Sequence, residues 1–66
     1  MKVYPDEVRP GDLVRDGGVL RPVTSVTVPG YAPDSAHVHL LPREGLSAFL
    51  PVPRKEKIYV LRTPRH

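Results

Sequence analysis

The run Arg9-Pro10-Gly11-Asp12-Leu13-Val14-Arg15-Asp16-Gly17-Gly18-Val19-Leu20-Arg21-Pro22-Val23-Thr24-Ser25-Val26-Thr27-Val28 decides the fold. Its first four residues put proline second and glycine third, as a type II turn requires, because the third position needs positive φ. A strand leaves that turn at Leu13. Asp16-Gly17-Gly18 ends the strand with residues that accept positive φ, so a tight hairpin is expected. The returning arm, Val19 to Val28, is the longest strand, and its alternation is broken. Val23 shares a phase with Val19 and Arg21, whereas Val26 and Val28 share one with Leu20 and Pro22. A single extra residue near Thr24 or Ser25 brings Val23, Val26 and Val28 onto one face, which predicts a β-bulge or sharp bend there. Pro22 has no N–H and must lie where the ladder needs no donor.

Outward from this hairpin, nine prolines spread over 66 residues leave no window for a stable helix. An interior proline costs a helix about 3 kcal/mol, and the apolar positions show no 3.6-residue period. Only Pro5-Asp6-Glu7-Val8 suits a helical turn, with proline early and two acids at the positive end of the backbone dipoles. Downstream, Pro29 to Ala36 reads as a loop. His37 to Leu41 alternates with Val38 and Leu40 inward, and Pro42-Arg43-Glu44-Gly45 turns the chain. Leu46 to Val52 returns with Leu46, Ala48, Leu50 and Val52 on one face and Ser47, Phe49 and Pro51 on the other. Pro53 to Lys57 forms a basic connection, Ile58 to Arg62 a final strand and 63–66 a flexible tail. The expectation is one all-β domain over 1–66, with 1–8 an N-terminal arm or short turn. Its second of five strands bends strongly, so that two orthogonal halves wrap around one core as a small barrel.

A chain this short buries only about 60% of the surface it exposes when unfolded. Cysteine is absent, which excludes disulfides and thiolate-metal sites. No apolar run approaches the roughly 20 residues of a membrane span, and Met1 to Pro5 lacks a signal-peptide core, so a cytoplasmic protein without membrane contact is expected. The net charge of +3 is uneven: residues 1–33 carry four basic and four acidic groups, and residues 34–66 carry six and three. The basic excess of the second half suits an anionic partner.

The segments Val8-Arg9-Pro10-Gly11-Asp12-Leu13-Val14, Arg21-Pro22-Val23-Thr24-Ser25-Val26 and Lys57-Ile58-Tyr59-Val60-Leu61-Arg62 together resemble small SH3-like β-barrel proteins. They are most similar to short barrels of actinobacteria and their phages. The resemblance implies a fold and a small size, and it carries no catalytic residues. It also implies a binding module for nucleic acid, peptides or larger protein assemblies, because fold alone does not choose among them.

Ser25, Ser35 and Ser47 occupy no nucleophile motif, and no glycine pattern matches a phosphate loop. Asp12 and Asp16 read as acids that hydrogen-bond turn backbone. No catalytic residue and no cofactor are therefore assigned. His37 and His39 lie two apart on one strand face, but zinc needs three or four ligands and only Asp34 is near; they read as solvent-facing, with no metal site. The residues assigned to nucleic-acid binding are Arg43, Arg54, Lys55, Lys57, Tyr59 and Arg62, with Arg65 following. An outward aromatic among cations can stack a base and neutralise phosphates. The alternative is a protein-interaction or self-assembling module, homodimerisation included, that uses Phe49, Pro51, Tyr59 and Leu61 as an exposed apolar surface. On either reading the hairpin at 9–28 is purely architectural.

Overall fold

The structure is a computed structural model that describes residues 1–62; the tail at 63–66, Arg65 included, lies outside the described residues. Its elements are β1 (Lys2–Val3), a 3₁₀ turn (Pro5–Glu7), β2 (Leu13–Asp16), β3 (Val19–Thr27), β4 (Ser35–Leu40), β5 (Phe49–Pro53) and β6 (Ile58–Leu61). They form one antiparallel sheet in the order β1-β6-β2-β3-β4-β5, which does not close on itself. Six strands replace the expected five, because the arm pairs with β6, Lys2 opposite Tyr59 and Val3 opposite Ile58. Two residues carry no alternation to read. Their pairing is set by a distant strand.

The hairpin forms as its residues dictate. Gly11 takes φ +94° and the Asp12 N–H donates to Arg9 O at 3.1 Å, closing the first turn. Gly17 and Gly18 both have positive φ, the pattern of a two-residue I′ turn. Pairing of β3 with β4 then runs from Val23 opposite Leu40 to Ser25 opposite His39, which leaves Thr24 as the extra residue. This bulge lets the first half of β3 pair with β2 and the second half with β4. It buries Val23 and half-buries Val26, but Val28 lies past the strand end and is exposed. Pro22 needs no donor at its position, and its carbonyl accepts the Leu41 N–H at 3.0 Å.

The core consists of Val3, Val8, Val14, Val23, Val38, Leu40 and Val60, with Val26, Leu50, Val52 and Ile58 packed against it. β-Branched side chains fill a pleated, half-buried surface well, and each fully buried one contributes about 1.5–3 kcal/mol. Both sheet edges are blunted. β1 has two residues, and β5 carries Pro51 and Pro53, which remove donors from its edge.

Two charged side chains are buried, Asp12 and, more deeply, Arg21. Arg21 follows the phase of Val23 into the protein and is 1% exposed. Its Nη1 donates to Asp16 Oδ2 at 2.9 Å and to Ser47 O at 2.6 Å, and its Nη2 donates to Leu41 O at 2.9 Å. The hairpin thereby holds both ends of the exposed connection 41–48. This corrects the expected strand from Leu46: with the Leu41 and Ser47 carbonyls turned to Arg21, pairing begins at Phe49, and Leu46 and Ala48 are exposed.

Replacing Arg21 by Ala strands Asp16 and two carbonyls and opens a cavity, so a loss of about 3–5 kcal/mol is expected in urea unfolding. Arg21→Met keeps most of the volume and should cost less. It should still release 41–48, read as faster amide hydrogen exchange in that connection alone.

Candidate interaction surface

Strand alternation sorts β1, β6, β2 and the first half of β3 into two faces. Val14 and Val60 oppose each other inside the sheet, so Leu13 and Leu61, also directly opposed, lie on the outer face. Across β2, Leu13 opposes Pro22 and Arg15 opposes Leu20. Across β6, Tyr59 opposes Lys2, and the next outward position of the β2–β6 register sets Arg15 beside Tyr59. The outer face thus carries two cross-strand rows, Leu61-Leu13-Pro22 and Lys2-Tyr59-Arg15-Leu20. Leu41 adjoins the first row through its bond to Pro22. Tyr59 is 63% exposed and Leu61 45% exposed.

The acids nearest this face are turned away from it. Asp16 pairs with buried Arg21. Asp12, 3% exposed, accepts the Arg9 N–H at 2.9 Å and is gripped by Arg62, whose Nε and Nη2 donate to Oδ1 and Oδ2 at 2.9 and 2.8 Å. The Arg62 hydrogen bonds hold the Asp12 carboxyl below its ordinary 3.8, overcoming the upward push of burial. Arg62 Nη2 also donates to Glu7 O, which fastens the end of β6 to the 3₁₀ turn.

The residues assigned to nucleic acid do not converge. Arg62 is engaged by Asp12, and Arg54 donates to Pro33 O at 3.0 Å and Asp6 Oδ2 at 3.2 Å. Lys55 lies with Arg54 along a shallow groove of about 250 Å³ that also holds Asp6 and Asp34, whose charges offset the cations. Lys57 sits over the Tyr4 ring, 5.2 Å from its centroid, and Arg43 is exposed in the 41–48 connection. Of the six, Tyr59 alone stands on the outer face described above.

The residues assigned to a protein interface divide between two places. Tyr59 and Leu61 belong to the β6–β2–β3 face, whereas Phe49 and Pro51 lie on β5, at the far end of the strand order. Phe49 is on the surface and stacks on His37, ring centroids 4.4 Å apart, with His39 at 5.8 Å. The two histidines, expected in solvent, are half-buried in this cluster, and His39 Nε2 is 2.7 Å from Thr27 Oγ1. Among the described residues no group of three metal-ligating side chains occurs. Lys2, Leu13, Arg15, Leu20 and Pro22 were missing from the sequence-based assignment. The phase shared by Leu20 and Pro22 was readable, but their strand neighbours were not.

No family model matches the chain, and neither curated proteins nor solved structures give a match. No helix among the described residues is long and apolar enough to cross a membrane.

The depressed Asp12 value fixes the sign of an acid effect. Its contribution is complete above the unfolded-state value of about 3.9 and is lost as pH falls through the lower folded value. Urea midpoints should therefore be level from neutral pH to about pH 5 and fall below about pH 4. Asp12→Asn should lower the midpoint at neutral pH and flatten that acid limb.

Proposed function

We propose that the protein is a non-enzymatic, cytoplasmic binding module that receives a protein partner on the outer face of β6, β2 and β3. The observation that carries this reading is the apolar row Leu61-Leu13-Pro22, in which Leu13 is half-buried and Leu61 and Pro22 are exposed among the described residues, running over three adjacent strands beside exposed Tyr59. A contiguous apolar patch on so small a domain marks an interface. The blunted edges favour contact through the face over addition of a strand. The strand run β6-β2-β3-β4-β5, with a bulged β3 serving both halves, supports assignment to the SH3-like barrels.

Nucleic acid is the weaker reading. Strand binding relies on several stacking aromatics and unengaged cations, and this face offers one tyrosine, while Arg62 is held by buried Asp12 and Arg54 and Lys55 lie beside Asp6 and Asp34. Self-association through the same face would leave Lys2 and Arg15 without an acidic counterpart, because the outward positions of these strands carry none.

The test is affinity capture from extracts of the native host with wild-type protein and a Leu13→Glu/Leu61→Glu variant of unchanged unfolding midpoint. A protein partner retained by the wild type after nuclease treatment and lost by the variant is expected. Identical capture by both, or capture abolished by nuclease, overturns the reading.

A further inference from the structure

The outer face is cationic as well as apolar, and the cause lies in how the fold distributes charge. Asp12 and Asp16, the acids flanking and ending β2, are consumed by Arg62 and Arg21. Arg15 between them points outward, as does Lys2, and both are exposed without an ion-pair partner among the described residues. Every outward position of β1, β6, β2 and the first half of β3 is therefore apolar or basic: Lys2, Tyr59, Leu61, Leu13, Arg15, Leu20 and Pro22. Lys2 and Arg15 flank Tyr59 in one row, two strand spacings apart, or about 10 Å.

We infer that the partner segment is an acidic amphipathic helix whose two carboxylates straddle an apolar contact on Tyr59. This rests on the protein-binding reading above and names the partner's chemistry. A neutral apolar segment would cover Lys2 and Arg15 without pairing them, and a basic one would add like charges at the rim. The spacing selects the conformation. Helix positions seven apart share a face and lie about 10.5 Å apart, whereas in an extended strand residues three apart point to opposite faces. Acids at i and i+7 meet Lys2 and Arg15 while apolar residues at i+3 and i+4 lie over Tyr59 and toward Leu61 and Leu13.

The experiment titrates isotope-labelled protein with three short helical peptides that share apolar positions i+3 and i+4 and differ at i and i+7: glutamate, glutamine or lysine. A short single-stranded oligonucleotide is the fourth probe. The glutamate peptide is expected to shift the resonances of Lys2, Arg15, Tyr59 and Leu61 and to bind about tenfold more tightly than the glutamine peptide. A Lys2→Glu/Arg15→Glu variant, with folding checked by its urea midpoint, should reverse the order and prefer the lysine peptide. Equal binding of glutamate and glutamine peptides at this face, or preference of the wild type for lysine, overturns the acidic partner and leaves protein binding standing. Binding of the oligonucleotide alone, or of none of the four, overturns both.

Discussion

The buried guanidinium of Arg21 is the constraint on which the arrangement of this small domain depends. A charge inside so thin a core is costly unless it is paired and hydrogen-bonded, and here three bonds from two nitrogens meet that requirement. Nε has no partner among the described residues, so the compensation there is incomplete. Each acceptor sits in a different part of the chain. Asp16 ends β2, Leu41 follows β4 and Ser47 precedes β5. The cation fixes the hairpin and the 41–48 connection relative to each other, a task for which the surrounding valines lack direction. Dispersion and hydrophobic burial hold the core together; Arg21 selects where the exposed connection runs.

Two further arginines repeat the pattern at the surface of the core. Arg62 closes on Asp12 across 50 residues of sequence, and Arg54 on Asp6 across 48. The Arg54–Asp6 pair is exposed on both sides and is worth at most about 1 kcal/mol. The Arg62–Asp12 pair is different, because Asp12 is buried and its carboxylate oxygens also satisfy the Arg9 N–H of the first turn. The last strand is thus clamped to the turn that starts β2. The same ion pairs draw acids inward and leave Lys2 and Arg15 outside, so the electrostatics of folding and of the candidate interface are one arrangement.

The bulge at Thr24 does the equivalent work for the backbone. By inserting one residue it reverses the pleat, keeps Val23 and Val26 toward the core and allows one strand to serve both halves of the sheet. The outer face divides at this point. Before the bulge lie the leucine row and Tyr59, and beyond it lies the aromatic cluster of Phe49, His37 and His39. Two residue sets that sequence reasoning joined into one surface are consequently separate.

Local chemistry was legible in the chain. Proline and glycine at 10 and 11, the Gly17-Gly18 turn, the phase conflict around Thr24 and the 3₁₀ turn at Pro5 each follow from allowed φ/ψ and from a period of two, which act over a few residues. The inward placement of Val38 and Leu40 was readable for the same reason. What the tertiary structure decided is everything that depends on which strand lies beside which. β1 became a strand by meeting β6, Arg21 became a buried anchor by meeting carbonyls 20 and 26 residues away, and Arg62 was clamped by the distant buried Asp12. The row of Leu61, Leu13 and Pro22 exists only because β6 pairs with β2 and β2 with β3, and pairing between distant segments leaves no local periodicity in the sequence.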